Sequence, residues 1–322
     1  MYKRVELHNH TVESDGKMTV EELIQYFHAH RINCFSLTDH NTISGHRKLK
    51  NVIETSGLPM EYIYGYELTS YYGHILCQNV PAYIPWDDID KNNADILLER
   101  VHNAGGLVGI AHPFSVGAPI SNGMQFSMQI HDHHLLDFIE IINNAHLMIP
   151  DNHKAILWWE ALLFSGHRIA PVSGMDFHRP CDMSDYFTTY IDIPDTSRRD
   201  TLAEQFTKAV TNCKTCITKG PIIKTNLIKT SLSIKLHYEE DGFSNQFDYK
   251  EPLSLKIKTA SNEIVASIEE SITMDIHNLI SSPDRVIILE LYKDTIEWQN
   301  LIAIGAPVFL EADRSIEVVQ NS

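Results

Sequence analysis

From its start to about residue 222, the chain alternates short apolar runs with stretches in which apolar residues recur at helical spacing. The apolar runs predict buried strands, and Thr19-Val-Glu-Glu22 has the pattern of a capping box that begins a helix. The predicted strands span 5–7, 34–37, 62–67, 107–111, 138–142 and 169–173, and the predicted helices span 19–30, 93–103, 153–166 and 201–211. Strands that alternate with helices indicate βα units, so we predict a parallel sheet or barrel.

After Gly220-Pro221 the apolar positions recur at every second residue instead. This alternation runs from Leu232 to Tyr238 and from Leu253 to Ile257, and it is typical of half-buried antiparallel strands. Further strands are predicted at 286–292, 301–304 and 308–310. We therefore predict an α/β domain at 1–222 and a smaller, mostly β domain at 223–322. The length of 322 residues is about twice that of an average domain of ~150 residues, which agrees with two domains.

Composition and charge narrow the class of protein. Hydrophobic residues make up 43% and charged residues 21% of the chain, as in globular proteins, and every apolar run is shorter than the ~18 residues of a membrane-spanning helix. The net charge of −16 should repel long nucleic acids, while a small substrate or a short strand end stays open. Five scattered cysteines and the lack of an apolar leader after Met1 predict a cytoplasmic protein with no membrane partner. The oligomeric state stays open.

Residues that commonly bind metals follow the predicted strands closely. Sixteen of the eighteen histidines lie at or before residue 178. Nine histidine and carboxylate residues lie at or just past the end of a predicted strand: His8, His10, Asp15, His40, Glu67, His74, His112, Asp176 and His178. A single histidine is more often hydrogen-bonded or solvated than a ligand, but catalytic groups converge where the carboxyl ends of barrel strands meet. In His8-Asn-His10 and Asp176-Phe-His178 the paired side chains point the same way on extended backbone.

The nine residues comprise six imidazoles and three carboxylates, which exceed the three or four protein ligands of a single zinc site. We therefore predict a cluster of two or three divalent ions, in which a carboxylate such as Glu67 can bridge. Histidine and carboxylate ligands without cysteine suit Mn²⁺, Zn²⁺ or Fe²⁺. Asp39 should point away from its neighbour His40, so we assign it to supporting the ligands or the fold.

These motifs resemble those of the PHP (polymerase and histidinol phosphatase) superfamily of metal-dependent hydrolases. The motifs in chain order are His8-x-His10 with Ser14-Asp15-Gly16, Thr38-Asp39-His40-Asn41-Thr42, Gly65-x-Glu67, Gly73-His74, Ala111-His112-Pro113 and Asp176-x-His178. The resemblance covers about residues 4–222 and implies a distorted (βα)7 barrel. Gly65-Tyr-Glu67-Leu-Thr69 with Gly73-His74, and the β extension after Pro221, are most similar to the CehA/McbA (carbaryl-hydrolase-like) branch.

The resemblance also implies a role for each candidate ligand. One ion would be held by His8, His10, Glu67 and Asp176, a second by Asp15, His40 and His178, and a third by Glu67, His74 and His112. The spacing from Glu67 to His74 varies among relatives, and without His74 the centre would hold two ions.

The attacking group is expected to be water, because the sequence contains neither a Gly-x-Ser-x-Gly elbow nor a cysteine nucleophile signature. Divalent ions that share a water lower its pKa from ~15.7 toward ~7, so hydroxide is available at neutral pH. The candidate catalytic residues are Asp15, His178 and Arg179. Arg179 and Lys17 lie in sequence where they would help to hold a phosphate, although each can equally be an ordinary exposed cation.

Three functions agree with these patterns. The first is a phosphoesterase for a small phosphate ester, including nucleotides, because a centre with three cations and three carboxylates attracts phosphate. The second is a carbamate, ester or amide hydrolase that uses the same hydroxide. The third is a non-catalytic metal-binding module, against which the intact set of nine ligand-type residues counts. The expected partner is a small-molecule phosphate ester.

Overall fold

Helices and strands alternate through the first two thirds of the chain, and strands predominate after that, in a computed structural model that describes residues 1–116, 124–146, 150–243, 252–281 and 283–310. The helices are α1 (Val20–Ala29), α2 (His46–Ser56), α3 (Ala94–Asn103), α4 (Asp151–Phe164) and α5 (Leu202–Thr211). The strands are β1 (Tyr2–Val5), β2 (Cys34–Leu37), β3 (Glu61–Ser70), β4 (Gly73–Gln78), β5 (Leu107–Ile110), β6 (Phe138–Asn143), β7 (Ala170–Gly174), β8 (Thr188–Asp192), β9 (Thr215–Thr218), β10 (Ile222–Ile228), β11 (Ser231–His237), β12 (Leu253–Lys258), β13 (Glu263–Ile268), β14 (Ser271–Asp275), β15 (Val286–Tyr292), β16 (Leu301–Ile304) and β17 (Val308–Phe309). Within the described ranges, none of the helices is long and apolar enough to cross a membrane.

A six-stranded sheet in the order β2-β3-β4-β5-β6-β7 carries most of the candidate site. β4 runs antiparallel to both β3 and β5, while the other neighbours pair in parallel. The extended segment 6–10 bonds to β2 at one edge of this sheet and, at the other edge, to the chain just past β7. The Ser36 N–H donates to the Glu6 carbonyl (2.8 Å), and the His10 N–H donates to the Phe177 carbonyl (2.8 Å). The sheet is therefore curled, and segment 6–10 connects its first strand to the chain that follows its last strand.

The α/β class predicted from the pattern is confirmed, and most of the predicted elements are present. β2, β15 and β16 have the predicted bounds, and α1 begins with the predicted capping box between Thr19 and Glu22. The helix α2 and the strands β4, β8, β9, β10, β13 and β14 lie outside the predicted elements. The sequence of α2 has only three apolar residues, Leu49, Val52 and Ile53, and only His46 and Leu49 of the helix are buried. The antiparallel β4 interrupts the regular alternation of parallel strands and helices.

A second sheet joins strands from both predicted domains. Its order is β1-β8-β9-β16-β15-β12-β13, and Ile217 of β9 lies opposite Ile304 of β16 in antiparallel register. β10, β11 and β14 form a separate three-stranded sheet. Strands that follow residue 222 are therefore hydrogen-bonded to the α/β part, and the domain boundary at 222 remains a prediction.

Buried aromatic side chains hold the curled sheet together. Trp159 of α4 is fully buried, and its indole N–H donates to the Ile169 carbonyl (2.9 Å) next to β7. Phe138 of β6 is also fully buried, and its ring covers Gly109 of β5. Close packing of these buried side chains therefore fixes the strands whose ends carry the candidate ligands.

Replacing Gly109 with alanine should destabilise this sheet. A Cβ at residue 109 would lie 2.2 Å from Cδ2 of Phe138, whose buried ring has little room to move. We expect Gly109→Ala to lower the free energy of unfolding by about 1–3 kcal/mol, which is the usual cost of overpacking a core. Urea unfolding followed by circular dichroism measures the change. The same substitution should cost less in a Phe138→Leu background, and an equal cost there would contradict the steric explanation.

Candidate metal centre

Glu67 of β3 lies at the middle of a buried cluster of histidines. Its two oxygens lie 2.8–3.4 Å from ring nitrogens of five histidines: His8, His10, His40, His74 and His112. The Glu67 side chain is fully buried, and a buried carboxylate needs cationic partners or donors to stay ionised. The histidines come from segments far apart in sequence, so the curled sheet is what brings them to one carboxylate.

Asp176 follows β7 and is the second carboxylate of the cluster. Its Oδ1 lies 3.2 Å from His10 Nε2, 3.5 Å from His8 Nε2 and 3.4 Å from His178 Nδ1. The ring of His10 stacks on the rings of His40 and His178, with centroids 4.3 and 4.2 Å apart. His10 therefore connects the parts of the cluster that surround the two carboxylates.

Asp15 lies on the open side of the cluster. Its side chain is 57% exposed, and its Oδ1 lies 3.2 Å from His178 Nε2 and 3.7 Å from His40 Nε2. With His10, these residues form a group whose ligand atoms all lie within 4.8 Å of one another. The structure thus brings all nine predicted ligand residues into one cluster, and their role as ligands remains a prediction.

His74 reaches the cluster from the start of a strand. It is the second residue of β4, while Glu67 lies inside β3, which continues to Ser70. The predictions that Glu67 ends its strand and that His74 follows past the strand tip are therefore wrong. Because β4 runs antiparallel to β3, its first residues lie at the same edge of the sheet as the last residues of β3, and His74 pairs with Thr69.

Two of the candidate ligands have left-handed backbone. The angle φ is +27° at His112 and +48° at Asp176, a region that residues other than glycine seldom occupy. Such conformations persist where the surrounding structure imposes them, and they are frequent at functional sites. Both residues come shortly after a buried strand, where the chain leaves the sheet.

The charges of the cluster shift the pKa values of its members in opposite directions. Burial alone would raise the pKa of Glu67, but His8 and His74 hold it well below its ordinary value. Burial alone would lower the pKa of His112, but Glu67 raises it to about 9. The cluster therefore attracts positive charge, and a metal ion that binds there competes with protons.

The buried polar atoms of the cluster fit divalent metal ions. Nε2 of His8, both ring nitrogens of His10 and Oε2 of Glu67 are buried, and within the part of the chain that the structure describes they have no hydrogen-bond partner. Buried polar atoms are normally paired. Here an imidazole nitrogen of His8 faces a carboxylate oxygen of Glu67 at 3.2 Å, which suits a cation shared between them.

Glu140 and Thr69 hold histidines of the cluster, and neither is among the predicted site residues. Oε1 of Glu140 lies 3.0 Å from His8 Nδ1, and Oε2 accepts from the His112 N–H (2.8 Å). Thr69 Oγ1 lies 2.5 Å from His40 Nδ1. One signal for Glu140 is present in the sequence, because it is the one charged residue of the apolar run 138–142.

Asp39, Lys17 and Arg179 lie beside the cluster. Asp39 Oδ1 accepts from the Thr11 N–H (2.7 Å) and the Ser14 hydroxyl (2.8 Å), which agrees with its predicted supporting role. Lys17 and Arg179 are exposed. The backbone N–H of Lys17 donates to the carbonyl of His178, the neighbour of Arg179 (2.7 Å). Both cations therefore lie near the open side, and phosphate binding by them remains a prediction.

Comparison with known proteins shows similarity that includes most of the clustered residues. Residues 6–155 match the family model of the PHP domain. Seven of the nine clustered residues lie in that range, and Asp176 and His178 follow it. The match covers slightly less than half of the 322 residues.

Two individual proteins are similar over different lengths. The chain is 28% identical over 133 residues to the 5′-3′ exoribonuclease Rnm of Escherichia coli (strain K12), an alignment that covers 37% of this chain and 45% of that protein. The chain thus spans less than half the length of this curated relative. A two-domain protein from Bacteroides vulgatus ATCC 8482, containing a predicted PHP-like metal-dependent phosphoesterase, has a similar fold with a TM-score of 0.55 and 16% identity, over 96% of this chain and 95% of that one.

Gly174 at the end of β7 is the position where an added methyl group should disturb this centre most directly. A Cβ there would lie 2.1 Å from Glu140 Oε1 and 2.5 Å from His8 Cβ. We expect Gly174→Ala to displace His8 and to weaken metal binding about 10–100-fold, the usual effect of losing a group that orients a ligand. Titration of chelator-treated protein with Mn²⁺ measures the affinity. Gly305→Ala is the control, because its new Cβ would have 3.4 Å to the nearest atom, and equal affinities in the two variants would argue against the contact.

Metal binding should also stabilise the folded chain. An ion that binds only the native state at one hundred times its Kd adds about 2.7 kcal/mol to the free energy of unfolding. We therefore expect Mn²⁺ to raise the Tm of EDTA-treated protein, and His10→Ala to remove most of the rise, because His10 contacts both Glu67 and Asp176. Differential scanning calorimetry checks this. A Tm that responds neither to EDTA nor to Mn²⁺ would speak against a metal centre.

Proposed function

We propose that the protein is a metal-dependent hydrolase whose substrate is a small phosphate ester. The observation that carries the proposal is the cluster of nine histidine and carboxylate residues. Within the described residues, several buried nitrogen and oxygen atoms of this cluster have no hydrogen-bond partner. The PHP domain supports the metal-dependent class. The names of the similar proteins, a phosphoesterase and an exoribonuclease, agree with a phosphoester substrate.

The proposed centre holds two or three ions of Mn²⁺, Zn²⁺ or Fe²⁺, and two of the possible ligand groups share no residue. The inner group is His8, His112 and Asp176, all buried, and the outer group is His10, Asp15, His40 and His178. Glu67 lies between the groups, and its Oε1 lies 2.8 Å from His74 Nδ1. When bound, such ions lower the pKa of water toward ~7 and polarise phosphoryl oxygens. The protein groups hold the ions and fix their spacing.

The outer group marks the side from which a substrate approaches. The side chains of Asp15 and His178 are 57% and 34% exposed, whereas those of the inner group are buried. Lys17 and Arg179 are exposed beside them and supply positive charge to a phosphate. We therefore keep Asp15, His178 and Arg179 as the proposed catalytic residues.

Among phosphate esters, nucleotides and short strand ends are the favoured substrates. The Escherichia coli relative is named a 5′-3′ exoribonuclease, although the alignment covers only 45% of it. A net charge of −16 disfavours a long or folded RNA, because phosphate contacts dominate such binding. A nucleotide or a short 5′ end reaches the open side of the centre without contacting much of the acidic surface.

Hydrolysis of a carbamate, ester or amide is the alternative function. The short motifs that resemble the CehA/McbA branch lie in the hairpin of β3 and β4, which carries Glu67 and His74. The other feature of that resemblance is the β extension after Pro221. A change of pocket shape around the same ligands would admit a carbonyl group in place of a phosphate.

Three further proposals concern the setting of the site. The curled sheet with segment 6–10 is proposed to be a distorted (βα)7 barrel, and 223–322 a separate, mostly β domain. The description of the Bacteroides vulgatus protein as two-domain agrees with this division. We also keep the cytoplasm as the proposed location, with no membrane partner.

Asp176→Asn and His10→Ala should each reduce hydrolysis of p-nitrophenyl phosphate by about 100-fold or more. Each substitution removes a buried group from the centre, and loss of a group there costs metal affinity and activity together. Asp182→Asn is the matched control, because Asp182 is exposed and lies outside the cluster. Steady-state rates and circular dichroism spectra are measured on all variants. Full activity in folded Asp176→Asn would contradict the proposal.

Phosphate esters should have higher kcat/KM values than carbonyl substrates. A cationic centre favours a dianionic substrate, and paired metal ions hold both the attacking and the leaving oxygen of a phosphoryl group. The comparison uses a nucleotide, a sugar phosphate, p-nitrophenyl phosphate, an aryl acetate and an aryl carbamate at matched metal loading. Carbonyl cleavage without phosphate release above the metal-free background would favour the alternative function.

A further inference from the structure

Glu140 of β6 is a buried carboxylate that lies behind the proposed ligands. It is 1% exposed, and its Oε1 lies 3.0 Å from His8 Nδ1. Its Oε2 accepts from the His112 N–H (2.8 Å) and from Asn143 Nδ2 (3.2 Å). Asn143 Nδ2 also donates to Asp176 Oδ2 (3.2 Å). One carboxylate is therefore linked to all three residues of the inner group.

The contact with Glu140 determines which nitrogen of His8 faces the centre. A carboxylate accepts a hydrogen bond only from a protonated nitrogen, so Nδ1 of His8 carries the hydrogen. Nε2 of the neutral ring then has a free lone pair, and it lies 3.2 Å from Glu67 Oε2. A histidine that binds a metal commonly donates its other N–H to a carboxylate, which fixes the ring and raises its basicity.

The outer group is held by different contacts. His40 Nδ1 lies 2.5 Å from Thr69 Oγ1, and His178 Nδ1 lies 2.8 Å from the Asp176 carbonyl. These contacts come from β3 and from the loop after β7, and Glu140 belongs to β6. The outer group is therefore held by the Thr69 hydroxyl and the Asp176 backbone, whereas Glu140 reaches Asp176 only at its side chain, through Asn143.

We propose that Glu140 is a positioning residue for the inner metal position and not for the outer one. The inference rests on the metal centre of the proposed function, and it states that one residue orients the ligands of the inner position alone. Glu140 fixes the side chain of His8, the backbone of His112 and, through Asn143, the carboxylate of Asp176. Binding in the outer group does not depend on it.

Glu140→Gln tests this assignment, because an amide cannot replace both carboxylate oxygens. If the amide oxygen faces His8, the NH₂ group faces the donors of His112 and Asn143, and the opposite orientation places NH₂ against His8 Nδ1–H. Chelator-treated full-length protein is titrated with Mn²⁺ by calorimetry, and bound ions are counted by elemental analysis. We expect one class of site to weaken about 10–100-fold and the remaining class to keep its wild-type affinity.

Three further variants separate this effect from general loss of structure. Asp15→Asn should give the reverse pattern, because Asp15 belongs to the outer group. Glu160→Gln should bind Mn²⁺ as the wild type does, since Glu160 is also a buried glutamate but pairs with Lys258 outside the centre. Glu140→Asp keeps the charge with a shorter reach, so its affinity should lie between those of wild type and Glu140→Gln, and it serves if Glu140→Gln does not fold.

Unchanged Mn²⁺ binding in folded Glu140→Gln would overturn the proposal, and so would an equal weakening of both classes of site. Either result leaves the proposed function standing if the wild type binds metal and hydrolyses phosphate esters. A wild-type protein that binds no Mn²⁺ would overturn the proposed function together with the role of Glu140.

Discussion

The buried carboxylate of Glu67 is the constraint on which the arrangement of this site depends. A charge removed from water is tolerated only among partners, and breaking a buried pair typically costs about 3–5 kcal/mol. Five imidazoles lie within 3.4 Å of Glu67, and they belong to segment 6–10, to the ends of β2 and β5 and to the start of β4. The sheet must therefore curl until these segments meet. β4 must also run antiparallel, because only that direction brings its first residues to this edge.

The same arrangement produces a gradient of exposure across one cluster. His8, His10 and Glu67 are fully buried, whereas the side chain of Asp15 is 57% exposed. Electrostatic interactions are stronger on the buried side, where water is excluded. On the open side, solvent has access to the same set of charges. In the proposed metal centre, rigid ligand binding and substrate exchange would thus lie on opposite sides.

Sequence patterns were sufficient for ligands that follow a strand and insufficient for groups whose position depends on pairing. His40 and His112 come shortly after apolar runs, so their placement is visible in the chain itself. Glu140 lies inside such a run, and its role depends on His8, which is 132 positions away. His74 is at the correct edge only because of the direction of β4, which is decided by its neighbours in the sheet. The local periodicity of the sequence carries no information about the contact of Glu140 with His8 or about the direction of β4.

Segment 6–10 connects the two ends of the curled sheet, and this has a consequence for how the protein is made. His8 precedes Asp176 by 168 residues. At a synthesis rate of about 5–20 residues per second, His8 therefore leaves the ribosome about 10–30 s before the carboxylate that it faces in the finished fold. During that interval the first histidines of a nascent chain have only some of their partners. The clustered residues therefore form a complete set only late in synthesis, once Asp176 and His178 have followed β7.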